Sequence, residues 1–120
     1  MKYFFLFILL ILVCSKSKAQ NLDKWQLRHS HSTVDVYSNN ESIIREGQTI
    51  TVWLRWIYKD DANKKETKEK IKIDCAAKKV YILYSVSYYI NEQISIDDKI
   101  YDMDIVPDTI IESLSEDFCK

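Results

Sequence analysis

The sequence predicts an α+β domain: a single antiparallel β-sheet with one C-terminal α-helix packed on one face and tethered there by a disulfide. Three observations predict it. Apolar and polar residues alternate with period two through most of residues 50–90. The period becomes helical only after Pro107. One cysteine, Cys75, ends an alternating run, and a second, Cys119, ends the helical one.

The first residues are read as a leader rather than as part of the fold. Lys2 supplies a positive charge, and YFFLFILLILV follows without a polar interruption. That run fits a signal-peptide core and is too short for a permanent membrane helix. Ser17-Lys18-Ala19 places small residues where signal peptidase needs them, so cleavage is expected after Ala19. This makes residues 1–19 a signal peptide and residues 20–120 one domain, exported to the periplasm, the cell surface or the medium. Lipid anchoring through Cys14 is the less favoured alternative, because Val13 before it is not small.

The full chain carries a net charge of −1. The leader removes Lys2, Lys16 and Lys18 and no acid, so the mature chain is more acidic still. An acidic chain has no electrostatic case for nucleic acid or anionic lipid. No apolar run beyond the leader is long enough for a transmembrane segment. Cys75 and Cys119 are then the remaining cysteines, and an even count in a small exported chain favours pairing. Such a crosslink stabilises by roughly 4 kcal/mol in the chain-entropy model.

The strands are read in order. Residues 25–28, 33–37 and 42–45 are short candidates. Glu46-Gly47 follows as a tight hairpin, because Gly47, the only glycine, lies between two β patterns. In residues 50–58, Ile50, Val52, Leu54, Trp56 and Tyr58 share one face, and Trp53, Arg55 and Ile57 lie on the other. Residues 59–70, KDDANKKETKEK, read as a charged hairpin loop. Ile71, Ile73 and Cys75 point inward from the next strand. In residues 80–90, strict alternation sets Val80, Ile82, Tyr84, Val86, Tyr88 and Ile90 against Tyr81, Leu83 and Tyr89. Residues 91–104 read as acidic and irregular, with a short strand around 94–96. Thr109 and Glu112 then have the spacing of a capping box. Ile110, Ile111, Leu114 and Phe118 form the apolar stripe of a helix over about 109–118. A helix that short is marginal alone and must dock on the sheet.

Several short motifs occur together in a definite order. They are Trp25, Val36-Tyr37, Ser42-Ile43-Ile44-Arg45-Glu46-Gly47, Thr51-Val52-Trp53, Asp74-Cys75-Ala76-Ala77-Lys78-Lys79, and Val106-Pro107 through Leu114 to Cys119. In this the chain resembles the surface-adhesin protein E family of exported bacterial proteins. Asn39 stands where that pattern has an aspartate, and Asp108-Thr109 replaces Gly-Ser before the helix. The resemblance implies about six antiparallel strands with a disulfide-held C-terminal helix. It also implies a surface protein that binds another protein, such as the host matrix proteins laminin or vitronectin. Haem binding by a dimer is a further implication, which makes a homodimer an expected assembly. No residue motif carries these activities over.

Candidate sites are few. Trp53, Tyr81 and Tyr89 are expected on the sheet face away from the helix, where Trp and Tyr together make a protein-binding patch. His29 and His31 alternate, so both imidazoles could reach one metal or haem iron. Two histidines fall short of the three or four ligands usual for zinc. Asp97, Asp98, Asp102 and Asp104 lack the spacing of a calcium loop. No cofactor is therefore expected. There is no phosphate-binding glycine loop and no Gly-x-Ser-x-Gly elbow, so the chain reads as a non-enzyme. The expected function is an exported module recognising another protein. The alternatives are a small haem or metal carrier and an envelope accessory without a ligand.

Overall fold

The computed structural model describes residues 24–120; the leader, the cut after Ala19 and Cys14 lie outside the described residues. The strands are β1 (Trp25–Ser30), β2 (Val34–Asn39), β3 (Ile44–Glu46), β4 (Thr49–Tyr58), β5 (Lys64–Asp74), β6 (Lys79–Tyr89), β7 (Ile94–Asp97) and β8 (Tyr101–Asp104). A one-turn 3-10 helix, Asn40–Ser42, follows β2, and an α-helix, α1 (Ile110–Phe118), comes after β8. All strands are antiparallel in one sheet ordered β1-β2-β4-β5-β6-β7, with β3 also on β4 and β8 also on β6. The expected class holds, but the sheet has eight strands rather than about six.

The additional strands are short edge pieces that follow longer partners. β7 pairs with Ser85–Tyr88 and β8 with Lys79–Ile82, so the two share one edge of β6. They come from the stretch expected to be largely irregular. Their acidic residues are compatible with an edge, where charge discourages further pairing. Gly47 occupies the two-residue turn between β3 and β4 with φ 59, as its position predicted.

The supposed charged loop at 59–70 is mostly strand. Asp61 Oδ1 accepts the backbone N–H groups of Asn63 and Lys64, each at 2.8 Å, and starts β5 at Lys64. Thr67 and Glu69 lie directly opposite Trp56 and Leu54 of β4, on the helix-bearing face. Lys68, Lys70 and Lys72 take the other face. Polar residues on both sides hid the strand's period.

A bulge corrects the reading of β6. Ile71 pairs with Ile82, yet Lys70 pairs with Tyr84, so Leu83 is the extra residue. One inserted residue reverses the facing of everything after it. Val80 and Ile82 face the helix as expected. Tyr84, Val86 and Tyr88 face away, while Ser85, Ser87 and Tyr89 turn to the helix side.

The core lies between α1 and the near half of the sheet. Val36, Ile50, Val52, Leu54, Ile71, Ile73, Val80, Leu114 and Phe118 are all buried. Thr109 is the N-cap, its Oγ1 accepting from the Glu112 N–H at 3.2 Å. Glu112 Oε1 accepts in return from the N–H of Asp108 at 3.2 Å, one residue before the cap. Cys75 and Cys119 are disulfide-bonded. Cys75 sits just past β5 in the turn to β6, so the bond fastens the helix end to the sheet's rim. Arg45 Nη1 donates to the Phe118 carbonyl at 2.8 Å, and the Arg28 guanidinium covers the Phe118 ring at 4.8 Å.

The helix has nine residues and is about 13 Å long. β5 and β6 have eleven each and run about 35 Å. Part of the helix-bearing face therefore lies beyond α1, and no element of the described chain covers the opposite face.

Candidate functional site

The part of the helix-bearing face beyond α1 is polar and internally satisfied. Trp56 Nε1 donates to Glu69 Oε1 at 2.8 Å. Tyr58 and Ser87 each lie 3.1 Å from the Thr67 hydroxyl. Burial raises the Glu69 carboxyl above its ordinary value, and the Trp56 hydrogen bond offsets part of that rise.

The opposite, helix-free face is built differently. Directly opposed residues in a sheet project to the same side, and the register supplies the rows. Tyr37, Arg55, Lys68, Val86 and Ile96 form one row across five strands. Trp53, Lys70 and Tyr84 form the next. Thr51, Lys72 and Tyr81 form a third. The Trp53 and Tyr84 rings meet edge to face at 6.0 Å. Lys68 Nζ stands 5.6 Å over the Tyr88 ring. All of these lysines and aromatic rings are partly exposed.

This face bears on the predicted patch. Trp53 and Tyr81 do lie on the helix-free face. Tyr89 does not, because the Leu83 bulge turns it to the other side, near Ala62, Asn63 and Ile90. Tyr84 and Tyr88 take places on the patch that strict alternation denied them. No local signal in the sequence reveals the bulge. Lys70 and Lys72 follow from the alternation of the strand read from residue 70, whereas Lys68 lies in the stretch read as a loop.

The other candidates are placed as follows. The His29 and His31 rings lie 6.5 Å apart and nearly parallel. His29 is within β1, whereas His31 lies in the turn after it, its Nδ1 3.2 Å from Thr33 Oγ1. Among the described residues, no group of three or more His, Cys, Asp or Glu side chains is gathered for a metal. Asp97 accepts from the Tyr101 hydroxyl at 2.7 Å and the Lys99 N–H at 3.0 Å. Lys79 lies 3.8 Å from Asp102 and 3.9 Å from Asp104. These contacts tie the acidic stretch into the edge strands. Among the described residues, no helix is long and apolar enough to cross a membrane.

Comparison with known proteins agrees with this architecture. No curated protein matches the chain. Solved structures do match. The crystal form II structure of Haemophilus influenzae protein E superposes with a TM-score of 0.62 at 12% identity, covering 81% of this chain and 87% of that one. Protein E from non-typeable Haemophilus influenzae superposes with a TM-score of 0.58 at 13% identity, covering 81% and 76%. At such identities the likeness is one of fold. The family model described as surface-adhesin protein E matches residues 25–120, which include the whole of the described sheet and helix, and the chain belongs to that family.

Proposed function

We propose that this protein is an exported, non-enzymatic binding module that recognises another extracellular protein through the helix-free face of its sheet. The observation that carries this reading is the pairing of Trp53 with Tyr84 at the centre of a face left open by every described element. Tyr and Trp are favoured anchors at protein interfaces, because each offers a large rigid surface with a polar tip. Membership of an adhesin family supports the same direction. The host matrix proteins implied by the family resemblance are the first partners to try.

The test is surface plasmon resonance with the purified mature protein over immobilised matrix proteins. Binding is expected, and Trp53→Ser combined with Tyr84→Ser is expected to weaken it at least tenfold. His29→Ala, off this face, should leave it unchanged. Wild-type protein that binds none of them, or a double variant that binds like wild type, would overturn the proposal.

A further inference from the structure

The centre of the helix-free face is basic, although the chain as a whole is acidic. Lys68, Lys70 and Lys72 occupy alternate positions of β5. Alternate residues in a strand stand about 6.8 Å apart, so the three ammonium groups define a row of about 14 Å. Among the described residues, neither Lys70 nor Lys72 takes part in an ion pair. Lys68 is 4.0 Å from Glu66, whose carboxylate is bonded to Arg55. Aromatic rings flank the row, with Trp53 and Tyr84 on either side of Lys70 and Tyr81 beside Lys72. Acids lie beyond both ends of the row, with Asp35 and Glu66 at one end and Asp74 and Asp104 at the other, while Asp102 stands level with Lys72 at the β8 edge.

We infer that the lysine row of β5 binds a sulfated polysaccharide chain laid along the strand. The inference rests on the reading of this face as the recognition surface and names the chemistry recognised there, a sulfated glycan carried by an extracellular protein. Charge complementarity selects a linear polyanion, because the positive charges form a line and acids mark its ends. Lysine suits a flexible chain of sulfates, because it supplies point charge without fixing the orientation of the anion. Its ammonium is a rotating point donor without the bidentate fork that arginine offers carboxylates. Protein-interface cores are moreover depleted in lysine. The flanking rings add apolar faces against which the C–H face of a sugar ring can pack. A second copy of this chain is a poor occupant, since stacking two such faces centre to centre would oppose like charges.

Heparin is the probe, titrated calorimetrically into the purified mature protein. Binding is expected, weakening about 20- to 40-fold between about 50 and 200 mM salt, the scale for neutralising about three charges on a linear polyanion. Lys70→Glu with Lys72→Glu is expected to weaken it at least tenfold. Lys65→Glu with Lys99→Glu makes the same charge change at exposed sites off the row and should have little effect. If the first pair does not fold, Lys70→Gln with Lys72→Gln takes its place, with a smaller loss expected. No heparin binding, equal losses in both pairs, or tighter binding of a polyglutamate peptide or a single-stranded oligonucleotide of equal charge would overturn the inference. Heparinase treatment of a bound matrix protein should abolish its capture. Capture that survives heparinase but is lost with Trp53→Ser would refute the glycan and leave the face as the recognition surface. Heparin binding without capture of any matrix protein would do the reverse.

Discussion

Trp56 donates its indole N–H to the largely buried Glu69 carboxylate at 2.8 Å, and among the described residues no cation forms an ion pair with that carboxylate. Desolvation therefore outweighs the hydrogen bond, and the Glu69 pKa lies above its ordinary 4.5. The folded state then holds this proton more tightly than the unfolded state does. Stability from this group is greatest below pH 4.5 and declines as pH rises through the raised folded value. Asp61 has the opposite sign. Hydrogen bonds from the Lys64 and Asn63 N–H groups lower it, so its contribution is lost as pH falls below the ordinary 3.8.

Glu69→Gln keeps an acceptor for Trp56 and removes the charge. Urea unfolding across pH 4–8 should show this variant gaining on wild type toward pH 8 and losing part of the acid-side trend. Glu69→Ala leaves the Trp56 N–H without its partner, costing about 1 kcal/mol even at the acid end. A Glu69→Gln profile parallel to that of wild type would refute the assignment.

The disulfide should dominate the stability of this small domain. Cys75 and Cys119 are 44 residues apart in sequence, and closing such a loop is worth about 4 kcal/mol. Cys75→Ser, Cys119→Ser and the double variant are expected to lose similar amounts in urea unfolding, because the bond needs both partners. Reductant should bring wild type down to the same level. A reductant-insensitive midpoint would contradict this.

Gly47 separates backbone strain from steric clash. Its φ is 59, and a Cβ built there meets nothing within 4 Å. Gly47→Val should cost about 1–2 kcal/mol through the left-handed conformation alone, and Gly47→Asn well under 1 kcal/mol, since Asn tolerates it. Thermal unfolding of the two variants tests the difference. Equal losses would mean that the turn, not the dihedral, sets the cost.

The Leu83 bulge can be tested through the contact it creates. A double-mutant cycle on Trp53→Ala and Tyr84→Ala should give a coupling of about 0.5–1.5 kcal/mol, as expected for an edge-to-face aromatic pair. Strict alternation of β6 would put the two rings on opposite faces and give a coupling near zero.

Much of the fold is legible because its signals are local. The alternation around Val52 and Leu54, the Gly47 turn and the Thr109 cap each declare themselves within a few residues. The Leu83 bulge and the strand character of 64–70 do not. β5 has polar residues on both faces here, so its amphipathic period is silent. The patch was therefore only partly legible: Trp53 and Tyr81 follow from alternation, while Tyr84 needs the register of β6 on β5.

By itself, the sequence determined an antiparallel sheet with one apolar face, a short capped helix that must dock, and two cysteines placed to fasten it. These follow from periodicity and capping, which act over one or two turns of chain. Tertiary structure alone decided that Tyr84 and Tyr88, not Tyr89, join Trp53 and Tyr81 on the open face, and that Lys68 extends Lys70 and Lys72 into a row of three. Facing depends on which backbone groups of β5 and β6 pair across the sheet. A shift of one residue in that pairing reverses every side chain beyond it.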